Sequence, residues 1–302
     1  MDPRLAAHLE IAAVPDEEFV VRAYRLLLRR DPEPAALARD LEKLRAGTLS
    51  RATLLAELAG ADEFDRVRVL DDAVAFSAWA RSADERPREL RAPPGDERPI
   101  EIAWCLSRYR GEPLLDIGYA FAEPAYLAAL TGLGAARLVG VDLAEASVPG
   151  LESVVADVRR LPFRKREFGV AVCISTLEHI GRDNTTYGLG VERDAAAPET
   201  ALRELRRVAD RLLVSVPTGE REELDWLVQL PRQEWLDLFE RSGFLVFEHE
   251  VYALEDDGWN SVDDAPAARF RETHAGAILC AELHPATISR RAREGVRRLR
   301  RS

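Results

Sequence analysis

Three aspartates stand at the ends of short apolar segments in this chain of 302 residues. Asp116 lies in "LLDIG", Asp142 closes "RLVGVD", and Asp157 follows "SVVA". The carboxyl ends of parallel strands meet at one edge of a sheet, and ligands bind beyond that edge. Together the three carboxylates predict a shared ligand site, although each one alone is also explained as the cap of a turn or helix.

The segment "LLDIGYAFAEPAY", residues 114–126, begins like the strand and turn of a nucleotide-binding site and then departs from that pattern. Gly118 follows the first aspartate, but the glycines expected two and four residues later are Ala120 and Ala122. Alanine has less conformational freedom than glycine and adds a methyl group at each position. The segment is therefore a working site with an altered loop or the remnant of one, and the three retained aspartates favour a working site.

Apolar runs that alternate with helical segments predict the elements that position these residues. From residue 112 onwards the alternation indicates a doubly wound, mostly parallel α/β sheet with helices on both faces. The last two apolar runs have no clear helix between them, which predicts antiparallel pairing at one edge of a seven-stranded sheet. The predicted strands cover residues 113–118, 137–142, 153–156, 168–174, 211–216, 244–252 and 276–283, and the predicted helices lie near residues 100–109, 123–131, 199–209 and 231–242.

Residues 1–80 have a different pattern, which predicts a small all-α domain. Hydrophobic residues in "DEEFVVRAYRLLLRR" recur at helical spacing, and Pro34 can open the helix that follows. That second helix ends at Gly47, Ser50 can cap a third helix, and residues 63–64 begin a further short turn.

About 50 residues of this region resemble a helical domain of unknown function that recurs in bacterial proteins of surface-glycan assembly. The resemblance implies an interaction module with a protein partner, and it implies no chemistry. The residues that carry it are Phe19, Val20, Tyr24, Leu27, Leu28, Arg30, Gly47, Leu49, Ser50, Arg51, Glu63 and Phe64.

Charge and composition divide the remainder of the chain. Residues 81–99 hold four prolines and few apolar residues, which predicts a linker or surface strap between the helical region and an α/β domain at residues 100–284.

The net charge of the chain is −11, but residues 288–302 carry seven arginines and one glutamate, a charge of +6, which leaves −17 on the rest. The acidic body argues against a nucleic-acid partner. The Arg-rich tail, residues 285–302, is either a solvated terminal helix or a contact with an anionic membrane surface or a partner protein.

The cysteines and the hydropathy pattern indicate a cytoplasmic protein. Cys105, Cys173 and Cys280 are far apart and match no metal-ligand spacing. Cys173 and Cys280 lie in apolar runs typical of strands and are interpreted as buried free thiols. No apolar run is long enough to span a bilayer, and "MDPRLAAHLE" lacks the features of a secretory signal.

Residues 112–283 resemble a class I S-adenosylmethionine-dependent methyltransferase. The matching pieces are "LLDIG", "VGVDL", "VVADVRRLPF", "FGVAVCISTLEHI", "ALRELRRVADRLLVSVPTG" and "WLDLFERSGFLV", in the order of that family. The resemblance implies S-adenosylmethionine as cofactor. This molecule has ribose hydroxyls, an amine, an ammonium and a sulfonium, all suited to acceptor groups, and it has no pyrophosphate that needs a glycine cradle.

The resemblance also assigns the parts of the cofactor to residues. Asp116 and Gly118 would lie beside the methionine and ribose, Asp142 would accept from the ribose hydroxyls, and Asp157 would meet the adenine. The full set of implied cofactor-binding residues is Asp116, Gly118, Tyr119, Ala120, Asp142, Leu143, Asp157, Val158, Ser175 and Leu177.

His179 is the candidate catalytic residue. Methyl transfer is an in-line displacement that mainly needs alignment and a dry pocket, but a hydroxyl acceptor must also lose a proton. A histidine tuned near neutrality is an effective base for that proton, with Asp183 as its orienter or as an alternative base. The alternative is that Glu178 and His179 only anchor the loop.

Related enzymes that use a divalent metal carry the motif Glu-x-x-Glu-His. In this chain Ser175 stands in place of the first carboxylate, so no metal is expected.

The later motifs are similar to a methyltransferase subfamily encoded with bacterial cell-surface polysaccharide genes, which implies a sugar or glycan acceptor. Aromatic faces beside amide and hydroxyl groups suit a sugar ring, although core packing explains Trp226 about as well. A non-catalytic scaffold and a small-molecule N-methyltransferase remain alternatives. The candidate substrate-binding residues are Glu178, Asn184, Tyr187, Trp226, Gln229 and Trp259. Trp259 lies in the polar segment "EDDGWNSVDD", which, like residues 180–198, is predicted to be a long loop of the kind that forms substrate lids.

Overall fold

A computed structural model describes residues 14–83, 90–183, 185, 193–271 and 274–286 of the chain. The chain divides into two compact units, residues 1–72 and residues 73–302. Among the described helices, none combines the length and the apolar content that crossing a bilayer requires.

The described part of the first unit is built from helices joined by short turns. These helices are α1 (Asp16–Leu28), α2 (Pro34–Arg45), α3 (Arg51–Ala59) and the beginning of α4 (Asp62–Ser82). The Ser50 hydroxyl caps α3 by accepting a hydrogen bond from the Thr53 amide at 3.0 Å. The buried core of the unit consists of Phe19, Val20, Ala23, Tyr24, Leu28, Leu41, Leu49, Leu54 and Leu58.

Helix α4 corrects the sequence-based expectation of a short turn at residues 63–64. It runs for 21 residues, from Asp62 to Ser82, and enters the segment predicted as a linker. The sequence of α4 contains neither glycine nor proline, and Asp62, Glu63 and Asp65 place negative charge in its first turn. The local sequence therefore continues the helix well beyond the first turn.

The strands of the second unit are β1 (Leu114–Ile117), β2 (Leu138–Asp142), β3 (Glu152–Val155), β4 (Val170–Ile174), β5 (Leu212–Pro217), β6 (Glu222–Glu223), β7 (Val228–Gln229), β8 (Phe244–Glu255), β9 (Gly258–Val262) and β10 (Ala277–Pro285). Eight of them form one sheet in the order β3-β2-β1-β4-β5-β10-β8-β9, and β6 and β7 form a separate ribbon. The pairs among β3, β2, β1, β4 and β5 are parallel, and β10 is antiparallel to both β5 and β8. The antiparallel end of a mostly parallel sheet is thus confirmed.

The predicted count of seven strands is wrong, because part of the polar segment "EDDGWNSVDD" forms the strand β9 and not a loop. β9 pairs with β8 through a tight turn, with Glu255 opposite Gly258. Its residue Trp259 also exchanges backbone hydrogen bonds with Ala92, so part of the segment 81–99 straps the edge of the sheet. Asp257-Gly258 is a dipeptide typical of hairpin turns, and this signal was present in the sequence.

Helices pack against the strands of this sheet. α7 (Ala197–Val208) and α8 (Arg232–Arg241) share a hydrophobic core with β1, β4 and β5. α5 (Arg98–Ser107) packs against β4, β5 and β10, and α6 (Pro124–Gly132) follows the loop after β1. The strand order reverses between β1 and β4, and the crevice at such a reversal is where ligands bind in open α/β sheets.

Candidate active site

Asp116 on β1 is buried with one carboxylate oxygen unsatisfied. The Tyr126 hydroxyl on α6 donates a hydrogen bond to Asp116 Oδ1. Asp116 Oδ2 is buried and has no hydrogen-bond partner among the described residues. Burial raises the pKa of Asp116 to about 7, against the opposing effect of the Tyr126 hydroxyl. A ligand that brings a positive charge or an N–H donor would satisfy this oxygen.

The turn after β1 is fixed by close contacts. Gly118 has a φ of 93°, and a Cβ on this residue would lie 2.5 Å from Thr176 Oγ1. The fully buried Tyr119 packs over β2, where a Cβ on Gly140 would lie 2.7 Å from Tyr119 Cδ1. The Tyr119 hydroxyl donates to the Ala146 carbonyl at 3.1 Å. Only the backbone of Tyr119 therefore remains available to a ligand, because its side chain is enclosed by protein.

Asp142 holds the alanine-containing loop in place. Its Oδ2 accepts from the Ala120 amide at 3.1 Å, and its Oδ1 accepts from the Ala144 amide at 3.1 Å. Ala120 thus provides the backbone donor that a glycine would provide, and the loop is ordered by a carboxylate. Each carboxylate oxygen retains a second lone pair, so ribose hydroxyls remain possible donors to Asp142. The neighbouring Leu143 is exposed at the same strand end.

Asp157 beyond β3 is already engaged by its own neighbour. Arg159 donates to its carboxylate from Nε at 2.9 Å and from Nη2 at 2.6 Å. Burial acts to raise the pKa of Asp157, but the hydrogen bonds from Arg159 outweigh it and hold the pKa below its usual value. Val158 is buried in the hydrophobic core. The carboxylate on the predicted adenine side of the site is therefore already bonded to a protein group, and it is the least open of the three to a ligand.

The loop after β4 is strained and tied to helix α5. Ser175 adopts a φ of 41°, a left-handed conformation that is uncommon for residues other than glycine. Its Oγ donates to Glu101 Oε1 at 2.7 Å, and its amide donates to Ser215 Oγ at 3.2 Å. Leu177 is fully buried in the core and anchors the loop from below. Strained backbone of this kind concentrates at functional sites.

Four charged residues meet beside this loop, and we call them the acidic cluster: Glu97, Arg98, Glu101 and Glu178. Arg98 Nη1 donates to Glu101 Oε2 at 2.9 Å, and Glu97 Oε2 accepts from the Ala275 amide at 3.2 Å. Glu178 Oε2 is buried with no partner in the described part of the chain. The sequence does not predict the three residues near the start of α5 as part of a site. Two glutamates four positions apart in the largely apolar "ERPIEIAWCLS" were the available signal.

His179 is oriented by a backbone carbonyl. Its Nδ1 lies 2.8 Å from the Trp226 carbonyl oxygen, and its ring stacks on the Trp226 indole with centroids 5.3 Å apart. Burial lowers the pKa of His179 to about 4, so the ring is neutral at physiological pH. A carbonyl oxygen only accepts, so Nδ1 carries the proton and Nε2 is the acceptor nitrogen of the neutral ring. The Trp226 carbonyl thus takes the place of Asp183 as the acceptor that orients His179, while the half-buried Asp183 accepts from the Thr185 amide at 3.0 Å.

The candidate substrate residues occupy different surroundings. Trp226 is half-buried beside His179 and contacts the Phe270 ring edge to face. Gln229 is fully buried, and its Nε2 donates to the Glu220 carbonyl at 2.8 Å. Trp259 is fully buried on β9 and donates from Nε1 to the Gly95 carbonyl at 3.1 Å, which corrects its placement in a lid loop. Asn184 and Tyr187 lie outside the described residues.

Comparison with known proteins gives two matches to protein families. Residues 115–211 match the model of a methyltransferase domain. Residues 7–67 match a domain of unknown function (DUF4214). No protein with a curated description matches the sequence.

Solved structures with a similar fold include several methyltransferases. A putative methyltransferase from Bacillus halodurans is 15% identical over 60% of this chain and 95% of its own, with a TM-score of 0.39. The 1,6-didemethyltoxoflavin-N1-methyltransferase of Burkholderia thailandensis, solved with its substrate and S-adenosylhomocysteine, is 15% identical over 85% of this chain and 94% of its own, with a TM-score of 0.41. At such low TM-scores these likenesses carry no inference about substrate.

Residues 115–211 form a class I S-adenosylmethionine-dependent methyltransferase domain, and S-adenosylmethionine is its cofactor. The residues at the strand ends fit this molecule, because Asp116 Oδ2 is a buried acceptor without a partner among the described residues and Asp142 presents oxygens at the next strand end. Within the described ranges, no group of three or more His, Cys, Asp or Glu side chains is arranged to hold a metal ion.

Proposed function

We propose that this chain O-methylates a hydroxyl group of a sugar or glycan precursor, with His179 as the general base. The observation that carries this proposal is the contact of 2.8 Å between His179 Nδ1 and the Trp226 carbonyl. This contact fixes the neutral tautomer and leaves Nε2 as the nitrogen that accepts a proton. The ring lies in the loop after β4, beside the crevice where the strand order reverses.

His179 acts as a weak but sufficient base in this proposal. When bound, the cofactor supplies a methyl group on a positively charged sulfur. The cofactor would supply this methyl group to the acceptor oxygen and keep the electron pair of the carbon–sulfur bond, while His179 Nε2 takes up the proton of the acceptor hydroxyl. That proton becomes strongly acidic as the oxygen is methylated, so a histidine whose pKa is about 4 can accept it late in the step.

Other residues of the chain would hold and orient the cofactor. Asp116 Oδ2 suits the ammonium of the methionine part, and Asp142 suits the ribose hydroxyls. Arg98, whose side chain is 31% exposed beside the loop after β4, offers a positive charge to the cofactor's carboxylate. These three residues divide the recognition of one ligand among β1, β2 and α5.

The sugar class of the acceptor is supported by the aromatic surroundings of His179. Trp226 stacks on His179, and Phe270 meets the Trp226 ring edge to face with centroids 5.4 Å apart. Aromatic rings beside a polar base suit the C–H face and the hydroxyls of a sugar. The three described cysteines are buried free thiols, which supports our proposal of a cytoplasmic location.

Calorimetry and a methyl-transfer assay test the function together. Titration of S-adenosylmethionine should show binding, and Asp142→Ala should weaken it. Transfer of an isotopically labelled methyl group to a panel of sugars and nucleotide-linked sugars then tests the acceptor class. His179→Gln should lower turnover about a hundredfold while cofactor affinity stays unchanged. Absence of binding at millimolar cofactor would end the enzyme hypothesis, and normal turnover of His179→Gln would exclude this general base.

A non-catalytic scaffold is the second candidate, and one observation favours it. The Asp157 carboxylate is committed to Arg159 through three donor atoms, N, Nε and Nη2, on the predicted adenine side. In this hypothesis the helical N-terminal region and the tail at residues 285–302 recruit partners of glycan assembly. Capture of such partners by the full chain, combined with no cofactor binding in the same calorimetric titration, would favour the scaffold.

A further inference from the structure

The acidic cluster contains more negative than positive groups in a buried place. Glu101 is fully buried, Glu97 and Glu178 are nearly so, and Arg98 is the cation among these four residues. Both oxygens of Glu101 are engaged, by Ser175 at 2.7 Å and by Arg98 at 2.9 Å. The positive end of α5 offsets part of the remaining charge near Glu97, which directly precedes this helix. Glu178 is therefore the member of the cluster whose charge is least compensated.

Glu178 is the member with unused capacity. Its residue is 3% exposed, and Oε2 is buried without a hydrogen-bond partner among the residues that the structure describes. The charges of Glu101, Arg98 and Glu97 all act on its carboxyl, so the other members of the cluster lie near it. A buried acceptor without a partner costs free energy unless a ligand or water supplies a donor.

The cluster borders the side of the site where the acceptor would lie. Glu178 Oε1 is 3.8 Å from His179 Nε2, the proposed proton acceptor. The charge of Arg98 also acts on His179, so the cation of the cluster lies near the general base. The Arg98 side chain is 31% exposed and the His179 side chain is 17% exposed, so both retain contact with solvent.

We propose that the acceptor carries a protonated primary amine next to the hydroxyl that is methylated, and that Glu178 binds this amine while Glu97 and Glu101 add negative charge. This inference rests on the proposed function, because it concerns the acceptor side of the same site. An ammonium has three N–H donors and a positive charge, and so meets both the unpartnered oxygen and the excess of carboxyls. A neutral hydroxyl would satisfy the oxygen but not the charge.

Two further observations fit an organic cation. Within the described residues the carboxyls are not arranged as ligands of a metal ion. One ammonium, in contrast, can form a hydrogen bond to a single carboxylate and be attracted electrostatically by the two others. Burial raises the pKa of Glu178 well above its ordinary value and that of Glu97 to about 7, so the empty cluster holds protons that a cationic ligand would replace.

Small probes test the amine site in the full chain saturated with S-adenosylhomocysteine. Ethanolamine hydrochloride carries an amine next to a hydroxyl, ethylene glycol replaces that amine with a second hydroxyl, and tetramethylammonium chloride carries the charge without an N–H donor. We expect titrations followed by ligand-observed NMR at constant ionic strength to show ethanolamine binding about tenfold tighter than either control. Glu178→Gln should remove this preference. The exposed Glu152→Gln, on the β3 edge strand, should keep it.

Equal binding of ethanolamine and ethylene glycol, or no binding of ethanolamine, would overturn the amine site without any variant. An unchanged preference in Glu178→Gln would overturn the role of that carboxyl. Failure of the proposed function has a different signature, since S-adenosylhomocysteine itself would not bind or His179→Gln would turn over normally.

Discussion

Ser175 Oγ donates a hydrogen bond to Glu101 Oε1 over 2.7 Å and so joins the loop after β4 to a helix that precedes β1. The two residues are 74 positions apart in sequence. This contact makes α5 part of the candidate active site, because it brings the acidic cluster to the same loop that carries His179. The site therefore uses an element that lies before the first strand as well as the strand ends.

Gly118 should be the most sensitive glycine of the cofactor loop. Gly118→Ala adds a Cβ 2.5 Å from Thr176 Oγ1 and imposes a φ of 93° on alanine. We expect it to lower the free energy of unfolding by about 2–4 kcal/mol, measured by urea denaturation. Gly134→Ala is the matched control, because Gly134 also has a positive φ, 65°, but no atom within 4 Å of an added Cβ. Equal losses in the two variants would show that contact with Thr176 is unimportant.

Asp116 should make cofactor affinity depend on pH. Its pKa is about 7 in the folded protein, so the carboxyl gains charge as pH rises through neutrality and then attracts the cofactor's ammonium. We expect the affinity for S-adenosylhomocysteine, measured by calorimetry, to rise about tenfold between pH 6 and pH 8. Asp116→Asn keeps an oxygen to accept from the Tyr126 hydroxyl but does not titrate. The same slope in Asp116→Asn would assign the titration to another group.

Glu178 and Glu101 should have opposite effects on stability. The folded-state pKa of Glu178 is raised well above 4.5, so above pH 4.5 the folded state holds a proton that the unfolded state has lost, and stability falls as pH rises through that window. At pH 8 we expect Glu178→Gln to raise the free energy of unfolding by about 1 kcal/mol or more. Glu101→Gln should lower it by about 1–3 kcal/mol, because the Ser175 and Arg98 donors lose a carboxylate. Chemical denaturation at pH 8 measures both, and destabilisation by Glu178→Gln would mean that its carboxylate stabilises the fold.

We expect Trp259 to have a structural role and Trp226 to have a functional one. Trp259 is fully buried and bonded to the Gly95 carbonyl, so Trp259→Ala should lower the free energy of unfolding by about 3–5 kcal/mol. Trp226 is half-buried and stacks on His179. Trp226→Ala should cost less stability and lower methyl transfer more, because the imidazole loses its packing partner. Thermal unfolding and the labelled-methyl assay distinguish the two, and the reverse order of stability losses would contradict this assignment.

Much of the fold was predictable because its signals are local. Apolar runs of the length of a strand, with acidic residues at their ends, placed Asp116 and Asp142 at neighbouring strand ends, and the antiparallel end of the sheet followed from a missing helix. The eighth strand was missed because "EDDGWNSVDD" is polar overall. The backbone of β9 pairs with β8 and, at Trp259, with Ala92, and neither partner is visible in the local pattern.

The sequence by itself determined the strand–helix alternation, the acidic strand ends and the histidine after the fourth parallel strand, because spacing and residue type express these features within a few positions. Only the tertiary structure decided that the Trp226 carbonyl orients His179, that Asp142 orders the alanine loop, and that Glu101 meets Ser175. These contacts join residues 47, 22 and 74 positions apart. They depend on how the helices and loops pack on the sheet, since burial and distance set the charge and tautomer of each group.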